Sequence, residues 1–279
     1  MNGTCPAISR RSLLKGGLLV VPALAGSRMI SAWVDGPGEG TVVAAEEAPA
    51  GVTYDPSLHD WAFACDTTKC IGCGLCVEAC KLENDVPLEP EFNRTWIERH
   101  MVATDGTVYI DSPHGGIDGF PPESTAEGAD DAEARRTFFV PRLCMQCNDS
   151  PCTTVCPVSA TYRTEDGVIL VDAERCIGCG YCVVSCPYGA RYMVPAAAET
   201  PTGTPGVADK CTWCYHRITK GEDPACVEVC PTGTRIFGDL NDPQSPVSVL
   251  LREEITTVMR PEVGTEPQVF YVGLQGEVE

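Results

Sequence analysis

Cys70-Ile-Gly-Cys73-Gly-Leu-Cys76-Val-Glu-Ala-Cys80 and Cys176-Ile-Gly-Cys179-Gly-Tyr-Cys182-Val-Val-Ser-Cys186-Pro187 are two copies of one run, and their spacing decides the fold. In Cys-x2-Cys-x2-Cys the three sulfurs can converge on one iron–sulfur cubane. The cysteine that follows after three more residues, on the ensuing helix, points toward a different one, as in two-cluster ferredoxins. The glycines suit a loop whose backbone must wrap closely and aim N–H groups at sulfur. Two looser quartets accompany these runs: Cys144, Cys147, Cys152 and Cys156, then Cys211, Cys214, Cys226 and Cys230. Sixteen of the eighteen cysteines are thereby absorbed. Three quartets end in Cys-Pro, at Pro157, Pro187 and Pro231, whereas the first ends in Cys80-Lys81.

Two other chemistries compete for such cysteines. A disulfide framework also gives an even count, but cysteines two residues apart are poor partners and the chain is far longer than small stapled scaffolds. Zinc suits Cys211/Cys214 with Cys226/Cys230 as a four-thiolate site, yet the triplets Cys70/73/76 and Cys176/179/182 fit cubanes better. Haem attachment is excluded because no Cys-x-x-Cys-His occurs.

At 279 residues the chain can build one or two domains with a real core, and clusters would serve as internal cross-links. A formal charge of −19 argues against nucleic acid or anionic lipid as partner. Solubility or a salt-rich habitat explains that charge as well as electrostatic docking does.

Residues 9–15, Ser-Arg-Arg-Ser-Leu-Leu-Lys, precede the apolar stretch 16–25 and form a twin-arginine export signal. Residues 1–32 are therefore read as the signal segment, with cleavage after Ala25 or after Ala32. This address agrees with the quartets, since a protein loaded with clusters in the cytoplasm must cross the membrane folded. The expected location is periplasmic, or the extracytoplasmic face of the cytoplasmic membrane, bound peripherally. After residue 30 no apolar stretch approaches the length that spans a bilayer. Lipid anchoring is not expected, because Ser27 stands where a lipidated cysteine would be.

Residues 33–60 read as a flexible linker, and the core as beginning near Trp61. Strands are expected over 61–66, 94–102 and 107–111, the last two around Asp105-Gly106, with 112–136 as loop and 138–140 returning to the core. Residues 161–163 should pair with 168–172, residues 234–238 should form a strand, a helix should run from Pro246 to about Val258, and 267–272 should be a strand. The fold class is α+β and loop-rich. Cys65 reads as a buried strand residue, and Cys5 leaves with the signal. His59, His100, His114 and His216 show no metal spacing and read as structural. Lys81 reads as a solvated helix residue; the alternative is that its charge raises the potential of a neighbouring cluster.

Residues 80–84 (Cys-Lys-Leu-Glu-Asn), Cys144-Met-Gln-Cys147, Cys152 to Cys156-Pro157, Lys210-Cys-Thr-Trp-Cys-Tyr-His-Arg217 and Phe237-Gly-Asp-Leu-Asn-Asp242 resemble the four-cluster electron-transfer subunits of complex iron–sulfur molybdoenzymes, of the dimethyl sulfoxide, polysulfide and tetrathionate reductase type. The resemblance covers nearly all of 61–273. It implies four 4Fe-4S clusters with crosswise ligation: Cys70, Cys73, Cys76 with Cys230; Cys80 with Cys211, Cys214, Cys226; Cys144, Cys147, Cys152 with Cys186; and Cys156 with Cys176, Cys179, Cys182. Some relatives place Trp at the position of Cys152 and hold a three-iron cluster there; Cys152 implies four cubanes here.

The implied four-cluster domain, 61–279, is two nested ferredoxin-like bicluster units. The outer half is 61–93 with 205–240 and the inner half 137–195, with an insertion at 94–136 and a tail at 241–279. The implied role is a non-catalytic subunit relaying electrons between a multi-span quinone-binding membrane subunit and a catalytic molybdopterin subunit, with no small-molecule substrate of its own. A matching subunit of a nickel–iron hydrogenase or a cytochrome-containing complex, and a free soluble ferredoxin-like carrier, are the alternatives.

Overall fold

Trp-Ala-Phe-Ala-Cys-Asp, strand β1 (Trp61–Asp66), is buried along nearly all its length, as a strand covered on both faces must be. The computed structural model describes residues 54–129, 132–195 and 205–274; the export signal, Cys5 and most of the linker lie outside the described residues. After β1 come helix α1 (Leu75–Glu83), strands β2 (Thr95–Ala103), β3 (Val108–Asp111) and β4 (Ala134–Leu143), and the single turn α2 (Pro151–Thr154). Strands β5 (Thr161–Arg163) and β6 (Ile169–Val171), the turn α3 (Tyr181–Val184), and strands β7 (Arg191–Met193) and β8 (Ala208–Lys210) follow. The chain continues through α4 (Tyr215–Ile218), α5 (Ala225–Glu228), β9 (Arg235–Asp239), α6 (Pro246–Glu253), β10 (Thr256–Thr257) and β11 (Val269–Val272).

The four-stranded sheet runs β10-β11-β1-β9, so both ends of the described chain meet on β1. β1 pairs antiparallel with β9 in the register Phe63↔Phe237 and parallel with β11 in the register Phe63↔Val269. Alternation sorts its side chains. Ala62 and Ala64 lie with Val247 and Leu250 of α6, where their small size admits the helix, while Phe63 and Cys65 face the main core with Trp213 and Phe237. A second sheet, β3-β2-β4, forms over the insertion, with the β2–β3 hairpin turning at Gly106, φ 89°. Two small hairpins, β5-β6 and β7-β8, complete the strands. No helix among the described residues is long and apolar enough to cross a membrane.

Three expectations shift. Residues 54–60, at the end of the supposed linker, pack on the fold: Tyr54 donates to Asp166, Trp61 Nε1 donates to the Tyr54 hydroxyl at 2.9 Å, and His59 meets Asp239 at 2.8 Å. β4 begins inside the supposed loop, at Ala134, because Arg136 pairs with Val102. The helix starting at Pro246 has its Ser245 cap but stops at Glu253; the β-branched Thr256 and Thr257 pair instead with Val272 and Tyr271.

Candidate metal centres

None of the seventeen described cysteines is in a disulfide. Cys70, Cys73, Cys76 and Cys230 line one cavity together with Ile97 and Arg235. Cys80, Cys211, Cys214 and Cys226 line a second with Asn84, Arg94 and Trp213. A third group is visible in mutual repulsion: burial, and then the neighbouring Cys144, Cys152 and Cys186, push the Cys147 thiol up to about 12. Near Cys182, on α3, stand Cys176 and Cys152; α3 packs against α2, which leads directly to Cys156.

Local chain geometry delivers these sulfurs. Cys76 and Cys80 sit four residues apart on one buried face of α1. Gly74 precedes that helix with φ 79°, and a Cβ there would come within 2.4 Å of the Gly116 carbonyl oxygen. Gly178 in the other run, the counterpart of Gly72, has φ 70° and would bring a Cβ within 2.3 Å of the Gly206 carbonyl oxygen. Both glycines thus admit a neighbouring loop as well as a tight turn. Each single turn α2, α3 and α5 carries the third cysteine of its quartet, Cys152, Cys182 or Cys226.

The Cys-Pro endings find a physical reason here. Proline stops the helix, and the chain turns so that backbone N–H groups face the closing sulfur. Burial raises the Cys156 thiol, but N–H groups of Thr161, Val158 and Ala160 outweigh it and hold the thiol below its ordinary range. Arg235, Thr232 and Thr234 do the same for Cys230 against its burial. Cys80 has no proline and α1 runs on to Glu83; here Asn84 Nδ2 takes over, donating to the sulfurs of Cys80 and Cys214 at 3.7 Å each. Elsewhere burial dominates: it pushes Cys70 and Cys211 up to about 11, and Cys80 and Cys226 well up.

Buried thiols that repel one another as thiolates call for a positive group among them. No three His, Cys, Asp or Glu side chains among the described residues converge on a point that could hold one metal ion. An iron–sulfur cubane, held by four cysteine thiolates, supplies such a group. Unmet donors agree: Trp213 Nε1 and Arg191 Nε are buried without a partner, and Trp213 lines the second cavity. Sulfide is an acceptor for such donors.

The groups form a series. Cys226 of the second feels Cys76 of the first, Cys211 of the second feels Cys144 of the third, and Cys182 of the fourth feels Cys152 of the third. Cys73 and Cys179, in the first and fourth, are the exposed cysteines among the described residues.

Outside the cysteines, Lys81 corrects the expectation of a solvated residue. It is 2% exposed, and its Nζ donates to the carbonyls of Pro87 and Phe92 at 2.7 Å and of Glu89 at 3.2 Å. Cys65 is fully buried in β1, its thiol pushed up to about 12 by burial. The histidines each meet a carboxylate: His59 Asp239, His100 Glu98, His114 Asp118 and His216 Glu83. Gln146, fully buried, ties the loop of the third group to the second by donating to the Cys211 carbonyl at 2.9 Å and accepting from the Ile169 N–H at 2.8 Å. Sequence reasoning marks neither Arg191 nor Arg235, although Cys186-Pro-Tyr-Gly-Ala-Arg191 and Cys230-Pro-Thr-Gly-Thr-Arg235 repeat one pattern that carries them.

Comparison with known proteins follows the same lines. Residues 69–160 and 135–240 each match a 4Fe-4S dicluster domain. The chain is 39% identical over 235 residues to the B subunit of tetrathionate reductase from Salmonella typhimurium, covering 81% of this chain and 80% of the relative. It is 38% identical over 227 residues to a putative iron-sulfur B subunit of dimethyl sulfoxide reductase from Halobacterium salinarum, covering 77% and 79%. The B subunit of polysulfide reductase from Wolinella succinogenes is 34% identical over 208 residues, covering 74% and 91%.

Proposed function

This chain belongs to the iron–sulfur B subunits of the tetrathionate, dimethyl sulfoxide and polysulfide reductase type, with two dicluster domains giving four 4Fe-4S clusters, and we propose that it is the electron relay of such a complex. The ligand sets are Cys70, Cys73, Cys76, Cys230; Cys80, Cys211, Cys214, Cys226; Cys144, Cys147, Cys152, Cys186; and Cys156, Cys176, Cys179, Cys182, within two nested halves. The clusters supply one-electron storage; the protein holds them in order, excludes water and sets their potentials. Its partners are a quinone-binding membrane subunit at one end and a catalytic molybdopterin subunit at the other. The chain itself carries no substrate chemistry. It works on the outer face of the cytoplasmic membrane after export by the twin-arginine route.

The observation that carries this reading is a buried series with two open ends. Cys73 lies between exposed Ile71 and Leu75, and Cys179 near exposed Ile177, Tyr181 and Val184. An apolar rim around an accessible end cluster is what a docked partner needs in order to exclude water.

Native purification in mild detergent tests it. The expected result is one complex containing this chain, an integral membrane subunit and a molybdopterin protein, with quinol able to reduce the clusters. A fully loaded monomer recovered from the soluble fraction at native abundance contradicts the reading and favours a soluble carrier.

A further inference from the structure

Two of the buried cations are matched by carboxylates, Arg99 with Asp111 at 2.6 Å and Arg142 with Glu98 at 3.1 Å, as is the half-buried Arg94 with Asp209 at 2.8 Å. Four others are not: Lys81, held by the carbonyls of one loop, and three more. Arg191 (5% exposed), Arg235 (2%) and Lys210 (0%) are buried, and none has a carboxylate ion-pair partner among the described residues. A buried, unpaired cation is costly unless another negative group answers it.

Each of the three stands where two neighbouring sulfur groups meet. Arg235 donates to Cys226 Sγ of the second group at 3.8 Å, lines the cavity of the first group, and is held by Thr95 Oγ1 at 2.7 Å. Arg191 donates to Cys152 Sγ of the third group at 3.1 Å, while Cys182 of the fourth feels its charge. Lys210 lies between the second and third. Its Nζ donates to the carbonyls of Cys211, at 2.8 Å, and Ile169, and to Gln146 Oε1 at 3.4 Å. Three acceptors around one nitrogen are what an ammonium, with three donors and no lone pair, requires. Cys144 and Cys152 of the third group and Cys211 of the second are its electrostatic neighbours.

We propose that Arg235, Lys210 and Arg191 are potential-setting residues, one fixed cation in each gap of the cluster series, each favouring the reduced form of both clusters that flank it. This rests on the ligand sets given above. Reduction adds one negative charge to a cluster, and a cation held in the adjoining gap lowers the free energy of that state for either neighbour. One residue per gap thereby raises two potentials together, so that the electron crosses without meeting a deep step between neighbours. Lys81 differs, because its three carbonyls belong to a single loop and the group it adjoins is only that of Cys80.

The test is a redox titration of the native complex, followed by electron paramagnetic resonance, in parent, Arg235→Met, Lys210→Met and Arg191→Met forms. Each substitution should lower two of the four midpoint potentials. The shift expected is a reduced-to-oxidised ratio about tenfold lower at fixed ambient potential, which is 59 mV for a one-electron couple. The overlap is diagnostic without assigning any signal: Arg235→Met and Arg191→Met should move disjoint pairs, and Lys210→Met one member of each pair. Arg191→Lys and Lys210→Arg should retain most of the parent potentials.

Unmoved potentials, a uniform shift of all four, or equal shifts in the charge-conserving variants overturn the proposal. If one neutral variant fails to load, the other two still carry the pair test; failure of all three to load assigns the cations to assembly and overturns it. Iron in the parent is measured first. Fewer than four clusters overturns the ligand sets and this proposal with them, whereas four clusters indifferent to the substitutions overturn the proposal alone.

Discussion

Replacing Lys81 by Met should open the segment 85–94 without unfolding the rest. The ammonium holds three carbonyls of that segment, from Pro87, Glu89 and Phe92. Hydrogen bonds to a charged group contribute about 1.5–3 kcal/mol each, but not all of that is lost. Glu89 is exposed and Phe92 half-buried, so water can reach their carbonyls, while the Pro87 residue is buried. Relief from burying an ammonium offsets a further part. A net loss of about 3 kcal/mol results, roughly a hundredfold in the local opening equilibrium. The assay is hydrogen exchange at the Val86 amide, bonded to the Lys81 carbonyl, and the Phe92 amide, bonded to the Glu89 carbonyl. Both should exchange roughly a hundredfold faster, while amides of β1 stay as they were. Unchanged protection at Val86 and Phe92 refutes the assignment of Lys81 as the clamp of this segment; uniform acceleration everywhere refutes its locality.

Gly74→Ala should destabilise the first cluster loop by more than the roughly 1–2 kcal/mol of a left-handed residue, since its Cβ meets backbone oxygens of Gly116 and Ile117 at 2.4 and 2.5 Å. Gly180→Ala, also left-handed but with nothing within 4 Å, should show only the conformational part in urea midpoints. Arg99→Met should cost about 3–5 kcal/mol at neutral pH by stranding Asp111. Burial raises the Asp111 carboxyl, but hydrogen bonds from Arg99 and Thr125 outweigh it and hold it below the ordinary range. A depressed folded pKa gives stability above the unfolded value of about 3.9 that is lost as pH falls through the folded one. The stability gap between parent and Arg99→Met, read from urea midpoints, should therefore narrow on acidification.

Where chemistry is written locally, the sequence is readable. Cys-x2-Cys-x2-Cys fixes a loop followed by a helix, and α1 and α3 begin where the third cysteines of their runs require. β1 is readable from its apolar run, and the β2–β3 hairpin from Asp105-Gly106. Features decided by distant partners are not. Lys81 looks like any exposed helix lysine until a loop six to eleven residues later supplies its carbonyls. Residues 255–258 carry a helix-compatible pattern, yet β10 is set by pairing with β11. Arg191 and Arg235 stand in strands whose pattern predicts only alternation; their burial against sulfur depends on which group packs beside them. The repeated Cys-Pro-x-Gly-x-Arg was the available signal for both.

Iron and acid-labile sulfide per chain, measured with low-temperature electron paramagnetic resonance on anaerobically purified protein, test the account most directly. Four cubanes predict roughly sixteen of each, with no three-iron signal in undamaged protein. Zinc in place of iron, about half that content, or a persistent three-iron signal traced to the site of Cys152 contradicts it.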